Sequence, residues 1–238
     1  MKLNILAFGA HPDDVEISCA GIILKHIDLG YSVGIIDLTG GELGTRGNKE
    51  LRLQEASKAN KLMGISIREN LNMRDGFFKN DEEHQLKIIQ KIRQYQPDII
   101  LANAPTDRHN DHGRAAQLVK EAAFLSGLIK IETTLDGQAQ QAWRPKAVYH
   151  YIQDYFLEPT FVVDISPYFQ KKIEILKCYS SQFYNPNSNE PETPISKKDF
   201  FDVIESKARI LGRYINAEFA EGFIANRYIG VNDIVDLL

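Results

Sequence analysis

Short apolar runs at Leu3–Phe8, Val33–Leu38, Leu71–Met73, Asp98–Ala102 and Ala147–Tyr151 alternate with longer amphipathic stretches at Val15–Leu29, Leu51–Met63, Glu83–Gln94 and His112–Leu125. No other feature constrains the fold as strongly. Strands separated by helix-length segments cannot pair as hairpins, so they line up in parallel, with the helices packed over the sheet. The expected fold is Rossmann-like α/β, doubly wound, with a mainly parallel sheet and helices on both faces. After Phe161–Asp164 the pattern turns helical from about Pro167 to Ser180, breaks at Asn185-Pro186-Asn187-Ser188, and is helical again from about Lys198 to Ala217. No linker divides the 238 residues, so 1–238 is expected to be one domain. The Asn-, Pro- and Ser-rich stretch 184–196 is expected to be an exposed connector or a lid over a site.

Composition narrows the function classes. A net charge of -4 without any concentrated basic face argues against a nucleic-acid partner. No uncharged apolar stretch approaches the ~20 residues that span a bilayer, and the first residues lack the layout of a secretory signal, so a cytoplasmic protein with no membrane partner is expected. Cys19 and Cys178 have no paired spacing and are expected to be buried free thiols.

In an open parallel sheet, ligands gather beyond the carboxyl ends of the strands, above all where strand order reverses. Two such loops have unusual residues: Gly9-Ala10-His11-Pro12-Asp13-Asp14-Val15-Glu16 after the first strand, and Thr106-Asp107-Arg108-His109-Asn110-Asp111-His112 after the strand at Asp98–Ala102. A dinucleotide fold has glycines where the first loop has His and carboxylates. Alone, the acids also suit the positive end of the following helix, but capping has no use for the adjacent His11 or for a second His- and Asp-rich turn facing it. A divalent metal suits imidazole and carboxylate together. His11, Asp14 and His112 are the expected ligands, leaving a position for water or a substrate carbonyl. Asp13 is the expected general base and then proton donor to the departing amine. His109 is expected to donate to the developing oxyanion, with Asp111 as its orienting partner. His26, His84 and His150 lie in helical or strand patterns and are assigned to packing. Arg46 and Arg52, in or just after the Gly-rich loop that follows the second strand, can fork onto a substrate carboxylate.

His11-Pro12-Asp13-Asp14-x-Glu16 and His109-x-Asp111-His112 resemble the signatures of the LmbE-like, or PIG-L, deacetylases of N-acetylglucosamine conjugates. The resemblance implies zinc on His11, Asp14 and His112, Asp13 as base and His109 as transition-state stabiliser. Asp37-Leu38-Thr39-Gly40-Gly41-Glu42-Leu43-Gly44-Thr45-Arg46-Gly47, Ser180-Ser181-Gln182-Phe183 and Glu221-Gly222-Phe223 resemble the branch that deacetylates N-acetylglucosaminyl malate in bacillithiol biosynthesis. This adds Glu42 and Gln182 to the substrate-binding candidates and implies a homo-oligomer, trimeric or hexameric. Ala20 before Gly21 departs from the glycine pair common in the family.

The same ligands also accept Fe2+, cobalt or nickel. Two histidines and a carboxylate also spell a non-haem iron oxygenase site, which the alternation of strand and helix disfavours. A silent metal- or sugar-binding module would have no use for the spare base Asp13.

Overall fold

The computed structural model describes residues 1–236. Seven strands form one sheet: β1 (Ile5–Gly9), β2 (Val33–Thr39), β3 (Ile67–Met73), β4 (Ile99–Ala102), β7 (Ala147–Tyr151), β8 (Phe161–Asp164) and β9 (Ala220–Ala225). Their order is β3-β2-β1-β4-β7-β9-β8. The first five are parallel, and β9 is antiparallel to both β7 and β8. Short β5 (Thr134–Leu135) and β6 (Gln138–Ala139) make a separate hairpin. Strand order reverses between β1 and β4, the crevice expected for a ligand.

The side-chain period of two sends β1 to both faces. Ile5 and Ala7 enter a core with α1 (Asp14–Asp28), α2 (Lys49–Met63), α5 (Phe169–Leu176) and α6 (Phe200–Arg213). Leu6 and Phe8 enter a second core with α3 (Glu82–Tyr95) and α4 (Asn110–Leu125). This is the doubly wound architecture expected from the alternation.

Three local differences have physical causes. β3 starts at Ile67, four residues before the expected Leu71, because the polar stretch is used inward: Arg68 forks onto Asp37 at 2.8 and 2.9 Å and reaches Glu16 at 2.5 Å. The β5–β6 hairpin turns on Asp136-Gly137, both at positive φ, a local signal that the strand-helix alternation overshadows. β9 was not expected as a strand, since Glu221 and Gly222 are poor strand formers.

Tertiary partners explain β9. Glu221 is buried; its carboxylate accepts from the N–H groups of Gly21 at 2.9 Å and Ile22 at 2.7 Å and from Lys172 Nζ at 2.7 Å. Both amides follow directly on the kink of α1 at Cys19. Gly21 itself faces Ile165, three of whose side-chain atoms lie 2.7–2.9 Å from where a Cβ would stand. Gly21→Ala should therefore cost ~1–3 kcal/mol by overpacking, read from a urea midpoint. Ala20 is fully buried, so the departure from a glycine pair is accommodated at that position.

Both thiols are free; Cys19 is buried as expected and Cys178 only half-buried. His26, His84 and His150 bond to the Ile22 carbonyl, Asp81 and the Asn103 carbonyl, in keeping with packing roles. Among the described residues no helix is long and apolar enough to cross a membrane. In the stretch 184–196, Glu190 accepts from the Gly47 N–H at 2.8 Å and Ile195 reaches the wall of the site cavity.

Candidate metal centre and catalytic pocket

The loops after β1 and β4 meet above the switch point. Asn103, the residue after β4, joins them: its Oδ1 accepts from the Ala10 N–H at 3.0 Å and its Nδ2 donates to Asp14 Oδ2 at 3.0 Å. Gln153, just past β7, donates to Asp14 Oδ1 at 3.1 Å, and Asp14 Oδ2 also accepts from the His11 N–H at 2.9 Å. Asp14 is thus fixed from three strand ends, and neither of its oxygens can turn away.

Around it stand the imidazoles. His112 Nε2 lies 3.1 Å from Asp14 Oδ1, His11 Nδ1 lies 3.7 Å from Asp14 Oδ2, and the His11 and His112 ring centroids are 5.7 Å apart. Each ring has a carboxylate on its far nitrogen. His11 Nε2 meets Asp75 Oδ1 at 2.9 Å, and His112 Nδ1 meets Asp107 Oδ2 at 2.5 Å. Carboxylate-backed imidazoles converging on a third carboxylate are the arrangement of a metal site and its outer shell. Nitrogens of His11, His109 and His112 also lie within 4.8 Å of one another, as do donor atoms of His11, Asp75 and Asp111.

The electrostatics call for a cation. Burial alone disfavours charge on His11, yet its hydrogen bonds to Asp111 and Asp75 and the charge of Asp14 carry its pKa to about 10. At His112 burial is likewise overcome by Asp14 and Asp107, raising the pKa to about 9. Burial works against the Asp14 carboxylate too, but His112 and His11 hold it well below the usual range. The carboxylates therefore draw protons onto both rings, a demand for positive charge that a divalent ion meets equally well. The residues fit a metal.

Asp13 is set apart. It occupies the N-cap of α1 but makes no side-chain cap, its backbone is held at φ 128, and its buried Oδ2 has no hydrogen-bond partner. Capping, the ordinary role for an acid there, is thus excluded for its side chain, and backbone strain of this kind gathers at functional sites. Burial pushes its pKa up to about 7, against the pull of Arg52, whose Nη2 lies 4.0 Å away.

His109 caps α4; its Nδ1 accepts from the Asp111 N–H at 3.3 Å, which leaves the proton of the neutral ring on Nε2. Burial, then the charges of His11 and His112, lower its pKa and keep it neutral. Asp111, expected to orient His109, does so only through its backbone. Its carboxylate accepts from the Gly76 N–H at 2.8 Å and Arg114 at 2.6 Å and approaches His11 Nε2 at 3.4 Å, because the helical turn from His109 to Asp111 points the two side chains apart.

A cavity of about 260 Å3 opens on this group, with His11, Asp13, Asp14, Arg52, His109 and His112 on its walls. The expected substrate residues are divided. Arg52 is on the wall and bonds to Gln182 Oε1. Gln182 is buried behind it, donating to the Arg46 carbonyl at 2.9 Å. Arg46 is buried with its Nε 3.7 Å from Glu190. Glu42 accepts from the Asp75 N–H at 2.8 Å and the Gly40 N–H at 3.2 Å, closing its own loop. Arg46, Glu42 and Gln182 do not line the cavity.

Sequence reasoning missed Asn103, Gln153, Asp75 and Asp107 as site residues. All four lie just beyond the carboxyl ends of β3, β4 or β7, and that position was the available signal.

Residues 6–123 match the family described as PIG-L, GlcNAc-PI de-N-acetylase. A diacetylchitobiose deacetylase of Thermococcus kodakarensis is 30% identical over 195 residues, 76% of this chain and 70% of that protein. A 4-oxalmesaconate hydratase of Pseudomonas putida is 24% identical, over 75% of this chain and 74% of its own. The crystal structure of a conserved protein from Thermus thermophilus superposes with a TM-score of 0.84 at 30% identity, covering 97% of this chain and 98% of that one. Sequence similarity along most of the chain, and structural similarity along nearly all of it, establish that this protein belongs to the PIG-L (LmbE-like) family.

Proposed function

We propose that the protein is a zinc-dependent hydrolase that removes the N-acetyl group of an N-acetylglucosamine conjugate, with N-acetylglucosaminyl malate as the substrate in bacillithiol biosynthesis. The observation that carries this reading is Asp13: a strained, buried carboxylate whose Oδ2 makes no hydrogen bond, beside a His–Asp–His donor set. The family and its diacetylchitobiose deacetylase member support the reaction class.

His11, Asp14 and His112 would hold the ion, with Asp75 and Asp107 fixing the tautomers of the two rings. A bound divalent cation polarises the amide carbonyl and acidifies water at neutral pH. Asp13, poised near neutrality, takes the proton of the attacking water and passes it to the amine nitrogen as the C–N bond breaks. His109 donates from Nε2 to the oxygen that gains charge. Arg52, on the cavity wall, supplies the guanidinium for a substrate carboxylate, while Gln182, Arg46 and Glu42 hold the loop beneath it. The same resemblance supports a cytoplasmic homo-oligomer, a trimer or hexamer.

Incubation of zinc-loaded protein with N-acetylglucosaminyl malate, N,N'-diacetylchitobiose and N-acetylglucosamine should release amine and acetate, fastest from the malate conjugate. Hydration of an unsaturated dicarboxylate without any amine release would overturn the reading in favour of the hydratase chemistry of one relative. Arg52→Lys should raise KM for the malate conjugate more than for N-acetylglucosamine, and equal losses on both would remove the carboxylate clamp. Asp107→Asn should weaken zinc affinity ~10–100-fold, read by competition with a chelating dye.

A further inference from the structure

The cavity is larger than an acetyl group needs, and one of its walls is apolar. At the mouth, exposed Arg108 and half-buried Asp154 offer polar groups suited to sugar hydroxyls. The apolar wall is made by Ile17 of α1, Ile152, and one face of α6 with Phe200, Ile204, Ala208 and Leu211 at helical spacing. The four α6 residues are no more than 9% exposed.

This chamber starts at the reacting centre. Ile17 and Ser18 follow Asp14 on the same face of α1, about one 5.4 Å turn deeper. The floor is polar: Ser18 Oγ is buried without a partner, and the Lys172–Glu221 pair lies at the level of Gly21, nearly another turn in. A sugar ring placed here would leave its hydroxyls against isoleucine, phenylalanine and leucine, an arrangement with a desolvation cost that the rim does not impose. The substituent on the scissile carbonyl is the part of the substrate that can be apolar and must extend from that centre.

We propose that this chamber is an acyl-chain subsite, and that the enzyme hydrolyses straight-chain N-acyl amino sugars longer than acetyl, with Ala208 and Leu211 limiting chain length. The inference rests on the amide-hydrolase reading above and names its acyl range. The reaction balances as simple hydrolysis: the amide C–N bond breaks, a C–O bond to water forms, and the amine takes up a proton, giving a free amino sugar and a straight-chain carboxylate. Ser18 marks where an apolar chain must stop or end in a polar atom.

The test is a ligand series on zinc-loaded Asp13→Asn protein, whose turnover is expected to be slowed ~10²–10⁴-fold so that binding can be read first. Calorimetry with N-acetyl-, N-butanoyl- and N-hexanoylglucosamine should show Kd falling about fourfold for each added methylene that enters the chamber. Hexyl β-N-acetylglucosaminide serves as control and should bind no tighter than N-acetylglucosamine. In the active enzyme, Ala208→Phe should lower the ratio of hexanoyl to acetyl kcat/KM at least tenfold; the binding series decides without it if that variant does not fold. A hexanoyl compound that binds no tighter than the acetyl one, or tightening by the hexyl glycoside instead, would overturn the subsite. Absence of acetate release from every N-acetyl sugar by the active enzyme would instead sink the parent reading, leaving the binding series to report on the chamber.

Discussion

Asp13→Asn should keep its zinc and lose turnover by a factor of ~10²–10⁴, the usual contribution of a positioned proton-transfer group. Metal content by emission spectroscopy and kcat on an N-acetyl sugar measure the two halves. Retained turnover would dismiss Asp13 as the base, and lost zinc would place it among the ligands. The same variant has a second signature in the chelated protein. Burial raises the Asp13 carboxyl from 3.8 to about 7, so the folded state binds this proton more tightly than the unfolded chain does. Stability from this group is therefore complete below the unfolded value and is lost as pH rises through about 7. Asparagine bears no such charge, so Asp13→Asn should gain Tm relative to wild type above neutrality and lose that advantage near pH 4 and below. A Tm difference independent of pH would show that the carboxylate is not buried at cost.

The largest effect on folding is expected at Glu221. Its carboxylate accepts from the Gly21 and Ile22 amides and pairs with Lys172, all in the interior. Glu221→Ala strands a buried ammonium, which costs ~3–5 kcal/mol, a large part of the ~5–15 kcal/mol that holds a domain together. A denaturant midpoint close to that of wild type would refute it. The double variant Lys172→Met/Glu221→Gln removes both charges and should be clearly more stable than Glu221→Ala, because an uncompensated charge costs more than a missing pair.

Not every site residue was equally legible. His11, Asp13, Asp14, His109 and His112 could be picked out because residues of these types are out of place at a nucleotide-binding turn, and the structure brings all five to one cavity. Asp75 and Asp107 were hidden, since an aspartate in a loop is ordinary until an imidazole nitrogen faces it. Arg46, Glu42 and Gln182 stand outside that cavity. They sit in telling stretches of chain, yet Gln182 bonds to Arg52 and the Arg46 carbonyl, Glu42 accepts from the Asp75 and Gly40 amides, and the Arg46 guanidinium faces Glu190. Asp111 was assigned to its neighbour in the motif, and the turn of the helix gave its carboxylate to Gly76, Arg114 and His11 instead.

Periodicity and residue type were sufficient to determine the layered sheet, the two loops that meet over its switch point, and the donor chemistry they carry, because these depend on local patterns repeated along the chain. Contacts between residues far apart in sequence decided the rest. Gly21 and Glu221 are 200 positions apart, yet their hydrogen bond spans a kinked helix and turns a stretch unsuited to a strand into β9. The apolar wall likewise exists only because α6 packs on β9 and shares the cavity with α1, and no single segment bears its imprint.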